Sequence, residues 1–192
     1  SGANTQVIAY DGGKYRIFGE TLDNGVGNFL DAFARYLGIG FPGGPKIAEL
    51  ASKSQNYVEL PYVVKGMDVS VGGILTNLRN KIGKYPAEDL AFSCQETVFS
   101  MLVEVSERAL AHCEKNELLL GGGVACNTRL QEMCRMMCEE RNVSCFVPSQ
   151  EFLVDNPAMI AWLGVLMKGK AVGSAIDILP YQRTDDVVVD WN

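Results

Sequence analysis

The stretch from Glu117 to Asn127 carries the clearest sign of ligand-binding chemistry in this sequence. An apolar run over 117–120 indicates a buried strand, and three glycines at 121–123 end it. A strand, a glycine turn and a helix are how α/β proteins bring a flat ligand against bare backbone at the carboxyl edge of a sheet. Asn127 is therefore placed either to hydrogen-bond such a ligand or to cap the next helix.

A second candidate is Asp155, which precedes Asn156 and Pro157. Asp or Asn directly before a proline is typical of a helix start, with the proline at the first helical position. The alternative is a metal site, because a carboxylate at a strand-to-helix edge is an acceptable ligand for hard or borderline divalent ions. The residues alone leave both interpretations open.

Further segments could contribute to the same cleft. Ser1, Gly2 and Ala3 lead into a hairpin, and their amides and hydroxyl could hold an anion, unless this is merely an arbitrary start. Asp31 lies off the apolar stripe of its helix, so it faces solvent or a cleft and could hold ribose hydroxyls. Gly44 could offer bare backbone for the close approach of a ligand, although a turn residue is the simpler interpretation.

Four familiar kinds of site are excluded. The GxGxxG match at 38–43 is not a dinucleotide fingerprint, because it follows a helix and Pro42 interrupts the helix that should carry the pyrophosphate. No glycine loop is followed by a Walker A lysine. His112 is the only histidine, so no catalytic triad or multi-histidine metal centre can be built from this chain. Its position near the end of a long helix predicts a capping or dipole role.

The six cysteines present a choice between a zinc site and buried thiols. Cys134 and Cys138 share one helical face, and Cys126 and Cys145 lie nearby. CxxC pairs are absent and methionines surround the cysteines, which favours free thiols packed as small apolar groups.

The elements that must position these residues begin with a hairpin and continue as αβ units. Strands are predicted over 5–10, 14–19, 117–120 and 143–147. Helices are predicted over 26–37, 47–51 and 74–82, from Pro86 onward, up to about 141 after the glycine turn, and over 157–168. Residues 54–73 look irregular, and the tail from Gly173 looks extended. Antiparallel strands followed by αβ units predict an α/β fold with a mixed sheet covered by helices.

Composition narrows the class of protein. The 192 residues suit one domain or two small ones, and 47% hydrophobic with 21% charged residues indicates a folded chain. No apolar run approaches the roughly 20 residues of a membrane helix, and the start does not look like a signal peptide, so we expect a cytoplasmic protein. A net charge of −6 argues against strong autonomous nucleic-acid binding, but not against a nucleic-acid surface shared with another chain.

Taken together and in order, several segments resemble the TsaD/Qri family, once called O-sialoglycoprotein endopeptidases. These are SGANTQ, FGETLDNGVGNFLDAFAR, FPGGPKI, LLLGGGVACNTRL and DNPAMIAWLG. The resemblance implies a ribonuclease-H-like half of an actin-like ATPase fold. The chain, 1–192, would be the C-terminal subdomain, with an irregular and helical insertion at about 54–85. The amino-acid sequences of these segments resemble those of archaeal or eukaryotic members more than bacterial ones. This implies the catalytic subunit of a KEOPS-type complex.

The resemblance also implies an activity: transfer of a threonylcarbamoyl group from its adenylate to the exocyclic amine of the tRNA adenosine next to the anticodon. Residues 1–3 would touch the phosphate or acyl part of the adenylate. Asp31 and Gly44 would hold the ribose, Asn127 would hold the base region, and Asp155 would be a metal ligand.

The implied cofactors and partners follow from the family. The family binds one divalent metal ion per subunit, iron or zinc. The ligands of this ion would be completed by a histidine pair spaced HxxxH, which this chain lacks. ATP or threonylcarbamoyl-adenylate would be the ligand. Partners would be tRNA, a small kinase, dimerising subunits and the missing N-terminal half, with no membrane. By itself the chain should have little or no transferase activity.

Two other functions compete with this one. A non-catalytic scaffold or binding subunit of the same complex would lack the histidine pair in the full-length protein. A small-molecule phosphotransferase of the same superfamily would need a general base in the missing half.

Overall fold

The computed structural model describes residues 2–169 and 177–189 as a mixed α/β structure. The strands are β1 (Gln6–Asp11), β2 (Lys14–Glu20), β3 (Val64–Lys65), β4 (Asp68–Val69), β5 (Glu117–Leu119) and β6 (Ser144–Phe146). The helices are α1 (Val26–Tyr36), α2 (Gly43–Ala51), α3 (Gly72–Lys81), α4 (Ala87–His112), α5 (Thr128–Glu140), α6 (Gln150–Leu153) and α7 (Pro157–Leu166). Short 3₁₀ turns cover Gly123–Cys126 and Thr184–Asp186.

The strands pair in separate two-stranded sheets. β1 and β2 form the predicted antiparallel hairpin, and β3 and β4 form a second one that a bridge from Thr21 to Val69 joins to the first. β5 and β6 are parallel, with Leu118 opposite Cys145. Both expected pairing types therefore occur, but the described residues do not join them into the single mixed sheet that we predicted. β5 and β6 are three residues each and pair only with one another.

Helix α1 shows how the apolar spacing folds. Val26, Phe29, Leu30 and Phe33 are all at most 4% exposed, because positions three and four apart form one stripe on a helix. Gly38 has a φ of +75°, a left-handed conformation that favours glycine and follows the helix end as predicted.

Helix α2 starts four residues before the predicted Ile47, and the reason lies in another helix. Asp31 of α1 accepts a hydrogen bond from the backbone N–H of Gly43 at 2.7 Å. A carboxylate that receives an N–H from the first turn stabilises a helix start. Ile47 and Ala51 are buried between α1 and α4, so this early start also fixes the packing.

Helix α4 runs through the core and contacts α2, α3, α5, β1, β2 and β4. Its buried residues include the polar Ser93, Gln95 and Thr97. The Ser93 hydroxyl accepts from the backbone N–H of Val58 at 2.7 Å, which ties the irregular segment after Ser54 to the helix.

The cysteines are free thiols, as predicted. Cys94, Cys134 and Cys138 are buried, and burial raises the pKa of the Cys134 thiol to about 12. Within residues 2–169 and 177–189, no group of three or more metal-binding side chains is placed to hold an ion, so the zinc alternative finds no support there.

The C-terminal part differs from the rest. Helix α7 ends at Leu166 rather than at the predicted Lys168, and none of its side chains is buried; Ile160 is 71% exposed and Trp162 62%. Part of the predicted extended tail lies outside the described residues; in the described part, the 3₁₀ turn lies against β2 through an ion pair from Arg183 to Glu20. None of the helices in the described ranges is long and apolar enough to cross a membrane.

Candidate functional site

A pocket of about 630 Å³ opens between the N-terminal segment, the start of α2 and the glycine turn before α5. Gly2, Asp31, Gly44 and Asn127 all line it. These residues come from four separate segments of the sequence, so the chain fold brings together most of the positions that the sequence singled out. Their roles as ligand contacts stay predictions.

The N-terminal segment is held tightly against the start of α1. The carbonyl of Gly2 accepts a hydrogen bond from the N–H of Asn28 at 3.1 Å. A side chain at Gly25 would place its Cβ 2.3 Å from that same carbonyl oxygen, so only glycine allows this approach. Ala3 is exposed and does not line the pocket, and Ser1 lies outside the described residues.

Two neighbouring glycines at the start of α2, Gly43 and Gly44, have different roles: one allows close packing and the other leaves space in the pocket. A Cβ at Gly43 would lie 2.6 Å from the Cα of Asp31 and 2.7 Å from the carbonyl oxygen of Leu30. Gly43 is therefore required for the packing of α2 on α1. At Gly44, which lines the pocket, the nearest atom to such a Cβ is a side-chain carbon of Leu30 at 4.0 Å. Gly44 thus leaves open space on the pocket side.

Asp31 is half-buried and lies at the meeting point of α1 and α2. One of its carboxylate oxygens is occupied by the N–H of Gly43. Among the described residues that line the pocket, Asp31 alone carries a charge. The rest of this lining is largely apolar side chains and backbone, which suits a flat ring or a sugar better than a run of phosphates.

The glycine turn exposes backbone as predicted. Gly122 has a φ of +89° and a ψ of +161°, a conformation essentially restricted to glycine. The following 3₁₀ turn places Gly123, Val124 and Cys126 on the pocket lining. A Cβ at Gly123 would meet nothing within 4 Å, so a ligand can approach this backbone freely.

Asn127 acts as the cap of α5, which is one of the two alternatives that the sequence left open. Its side-chain oxygen accepts from the N–H groups of Arg129 and Leu130 at 2.9 and 3.3 Å. Its side-chain nitrogen donates to the amide oxygen of Gln95 at 2.9 Å. Both polar atoms of the Asn127 amide make hydrogen bonds within the protein. The side chain is therefore held in place and contributes a fixed part of the pocket surface.

The cation nearest to Asn127 in sequence is neutralised. Arg129 forms a bidentate ion pair with Glu96, with both N–O distances 2.8 Å, and a further bond to Glu132. These hydrogen bonds, that to Glu96 first, raise the pKa of Arg129 further above its ordinary value. Arg129 therefore braces α5 against α4 rather than reaching for an anion in the pocket.

Asp155 does not line the pocket, although its neighbour Val154 does. The cap of α7 is Asn156, whose side-chain oxygen accepts from the N–H of Met159 at 3.1 Å. The capping interpretation of the DNP sequence is confirmed for Asn156, and Asp155 is left exposed without a hydrogen-bond or ion-pair partner among the described residues. Among the described residues, Asp155 belongs to no group of three or more side chains that could hold a metal ion.

Sequence reasoning missed several contributors. Gln95 lies 32 residues before Asn127, and its only signal was a polar side chain on the buried side of α4. Phe41 lines the pocket and is 80% exposed, which an aromatic residue between Gly40 and Pro42 could have suggested. Gln150 belongs to the four-residue helix α6, too short to show a periodic pattern.

The fold and the pocket together define a mixed α/β domain whose pocket wall includes exposed backbone. Comparison with known proteins narrows this class. A family model described as "TsaD: tRNA N6-adenosine threonylcarbamoyltransferase" matches residues 1–162, and the chain belongs to this family. The resemblance found in the sequence is thereby confirmed.

Similar curated proteins come from archaea. The tRNA N6-adenosine threonylcarbamoyltransferase of Thermococcus kodakarensis is 55% identical over 197 residues, an alignment that spans all of this chain and 61% of the relative. A probable bifunctional tRNA threonylcarbamoyladenosine biosynthesis protein of Methanothermobacter thermautotrophicus is 55% identical, and 36% of its length is covered. The chain thus spans about three fifths, or less, of the length of these relatives.

Solved structures support the fold. The crystal structure of Thermococcus kodakarensis HypF matches 76% of this chain with a TM-score of 0.60 at 22% identity, over 20% of that chain. A full-length HypF in a phosphate- and nucleotide-bound form matches 68% with a TM-score of 0.57 at 16% identity, over 18% of that chain. At these identities the likeness concerns the fold alone.

Proposed function

We propose that this chain is the C-terminal half of a tRNA N6-adenosine threonylcarbamoyltransferase, and that its pocket holds the nucleoside part of threonylcarbamoyl-adenylate or ATP. The observation that carries the proposal is the convergence of Gly2, Asp31, Gly44 and Asn127, from four family segments, on one pocket. In this proposal the chain is a ribonuclease-H-like half of an actin-like ATPase fold.

The reaction assigns simple tasks to the chain. The exocyclic amine of the tRNA adenosine attacks the carbamoyl carbon of the adenylate, a C–N bond forms, and the bond from that carbon to the phosphate oxygen breaks. AMP leaves and the amine loses a proton. The free oxygen of Asp31 would accept from ribose hydroxyls, while the backbone after Gly122 and the wall at Asn127 would border the base. Holding the adenylate in one orientation lowers the entropic cost of the transfer.

The phosphates need cations that the pocket does not offer. No Lys or Arg is among its described lining residues, and Arg129 is already paired. We infer that an N-terminal half supplies the phosphate contacts, and we call this chain together with that half the complete protein. The exposed apolar side chains of α7 support this inference, because a helix that is apolar all round is normally buried. The chain alone should have little or no transferase activity.

The metal ion stays a proposal of the same kind. Asp155 is an exposed carboxylate that no described residue engages, and it would provide one ligand to iron or zinc. The other ligands, a histidine pair, would come from the N-terminal half. The described residues of this chain do not by themselves form the centre.

The remaining partners follow from the family alone. We propose that the complete protein acts on tRNA in the cytoplasm, within a KEOPS-type complex that contains a small kinase and dimerising subunits. The acidic net charge of −6 supports an arrangement in which tRNA is held by several surfaces rather than by this chain alone.

Substitutions at the paired glycines of α2 test the pocket. In the complete protein, Gly44→Leu should fill the pocket and weaken the binding of ATP, or of threonylcarbamoyl-adenylate, by roughly tenfold or more, since a buried side chain replaces the ligand there. The melting temperature should stay near that of the parent, because a Cβ at this position meets no atom closer than 4.0 Å. Titration calorimetry and thermal melting measure the two effects.

The matched controls lie at the same position and at its neighbour. Gly44→Ala should bind close to the parent level. Gly43→Ala should instead lower stability by about 2 kcal/mol, because its Cβ meets backbone atoms that cannot move aside. Unchanged nucleotide binding in the Gly44→Leu protein would contradict the proposal.

A further inference from the structure

Helices α1 and α3 end beside each other in a group of cations and tyrosines. Its observed contacts are two cation–aromatic pairs, Arg79 over Tyr36 and Lys81 over Tyr85. Arg35 and Lys84 are the sequence neighbours of the two tyrosines, and we call these six residues the basic–aromatic cluster. The guanidinium carbon of Arg79 lies 5.2 Å from the ring centroid of Tyr36, which joins the two helices. The ammonium nitrogen of Lys81 lies 5.7 Å from the ring centroid of Tyr85. A cation that lies over an aromatic ring is attracted to the face of that ring by about 0.5–1 kcal/mol at exposed sites.

The charges of this cluster are not neutralised by carboxylates, although the Lys81 ammonium donates a hydrogen bond to the backbone carbonyl of Glu59 at 2.6 Å. Among the described residues, none of its four cations has a carboxylate partner within ion-pair distance. Elsewhere, by contrast, Arg129 pairs with Glu96 and Arg141 with Glu107. In a protein with a net charge of −6, the cluster is therefore a local region of positive potential.

Helix dipoles account for only part of this arrangement. Arg35 lies in the last turn of α1, and Arg79 and Lys81 lie in the last turn of α3, where a cation stabilises the helix by a few tenths of a kcal/mol. Helices α2 and α5 have no basic residue in their last turns, although Arg141 follows α5 directly as its C-cap. The dipole also gives no reason for Lys84, beyond the end of α3, or for tyrosine rings that are 42% and 45% exposed.

The cluster lies next to the pocket along α1. Arg35 is four residues after Asp31, which lines the pocket. Residues four apart share one face of a helix and lie about 6 Å apart along its axis. A polyanion bound at the cluster would therefore lie within one helical turn of the pocket edge.

We propose that the basic–aromatic cluster is an RNA contact surface, in which the cations bind phosphates and the two tyrosines stack on unpaired bases. Positive charge interleaved with exposed aromatic rings is the chemistry that recognises single-stranded or loop RNA. The inference rests on the proposed function and deepens it, because it locates on this chain the surface that holds the tRNA. It also explains how an acidic chain takes part in RNA binding.

Salt-dependent binding of tRNA to the complete protein tests the cations. The probe is an unmodified tRNA transcript with adenosine next to the anticodon, and the variant carries R35Q, R79Q, K81Q and K84Q together. The dissociation constant should rise roughly tenfold or more, and the slope of log K against log salt should fall by about one for each phosphate that the variant can no longer bind. Thermal melting of the same variant shows whether the fold is intact.

A matched control removes the same number of charges elsewhere: K14Q, K115Q, R135Q and K168Q. Since it changes the net charge equally, it should leave the salt slope close to the parent value. If the cluster variant keeps the parent dissociation constant and slope, or if it binds tRNA normally and loses a protein subunit of the complex instead, the RNA proposal is wrong. A parent protein that fails to bind tRNA at all overturns it as well.

The tyrosines give an independent readout. Tyr36→Ala and Tyr85→Ala should each weaken tRNA binding by about tenfold without changing the salt slope, whereas Tyr36→Phe and Tyr85→Phe should bind like the parent. If the alanine variants bind tRNA as tightly as the phenylalanine variants do, the two tyrosines do not stack on bases. Threonylcarbamoyl transfer is measured separately, with the complete protein assembled in its KEOPS-type complex: tRNA binding through the cluster without any transfer there supports this inference and contradicts the proposed function.

Discussion

Helices α5 and α7 both begin at an asparagine whose side-chain oxygen accepts hydrogen bonds from the first turn, yet the two helices lie in opposite surroundings. Asn127 caps α5, whose residues Leu130 and Cys138 are buried in the core. Asn156 caps α7, in which no side chain is buried. The same local chemistry thus starts one helix that is part of the core and one that lies on its outside.

The two helix starts differ in which polar groups remain free after the cap has formed. At α5, the second polar atom of Asn127 is bound by Gln95, which is 7% exposed, so the whole amide is a structural wall of the pocket. At α7, Asn156 takes the capping role and leaves Asp155 exposed and unengaged. A polar residue in a motif can bind a ligand or a metal only where another residue makes the structural hydrogen bonds, as Asn156 does beside Asp155.

The largest effect should come from breaking the α5 start. Asn127→Ala should lower the free energy of unfolding by about 2–3 kcal/mol, because it removes a cap and leaves the buried oxygen of Gln95 without a donor. Chemical denaturation of the parent and the variant measures this loss.

Asn127→Asp is the control, since it keeps the cap and the Gln95 amide can turn to donate to the new carboxylate. It should cost clearly less than Asn127→Ala. Equal costs would mean that the cap itself is not what stabilises this start, and the contrast with α7 would lose its basis.

A third helix start sharpens the comparison, because a carboxylate distant in sequence serves α3. Asp23 accepts hydrogen bonds from the Ser70 hydroxyl and from the N–H groups of Val71, Gly72 and Asn24. Asp23→Asn should lower stability by about 1 kcal/mol at pH 7, a moderate cost because the carboxylate is exposed. Urea denaturation of both proteins measures it.

The cost at Asp23 should depend on pH. Burial acts to raise the pKa of the Asp23 carboxyl, but its hydrogen bonds outweigh burial and the pKa is lowered from 3.8. The unfolded chain therefore takes up the proton first as pH falls, so the contribution is complete above pH 3.8 and is lost as pH falls through the folded value. The stability difference between the parent and Asp23→Asn should shrink from pH 7 to pH 3, and a constant difference would contradict this account.

How much the sequence could predict depends on how local each cause is. The stripe of α1 and the hairpin from β1 to β2 are local patterns, and both folded as expected. The early start of α2 depends on Asp31, twelve residues earlier, and the second hairpin joins β2 through Thr21 and Val69. Contacts over such distances leave no periodic signal, so the start of α2 and the separation of the sheets could not be predicted.

The same division applies to the site. Glycine turns and the apolar stripe of α1 indicated that Gly2, Asp31, Gly44 and Asn127 could share one cleft, and they line one pocket. The occupation of the Asn127 amide depends on Gln95 in another helix, which no local pattern around residue 127 reveals. Pattern therefore located the pocket, while tertiary contacts decided which side chains in it are free.

The smallest effect is expected at α7, and it depends on what surrounds that helix. In the 192-residue chain by itself, Asn156→Ala should change stability by less than about 0.5 kcal/mol, because fraying of a helix that buries no side chain leaves the core intact. In the complete protein the cost should rise to about 1 kcal/mol, since α7 would then be packed. Denaturation of both forms decides this: a negligible cost in both would remove the proposal that another part of the protein covers α7. Asp155→Asn is the matched control, because it leaves the cap unchanged; it should be neutral for stability in the 192-residue chain and should lower the metal content of the complete protein.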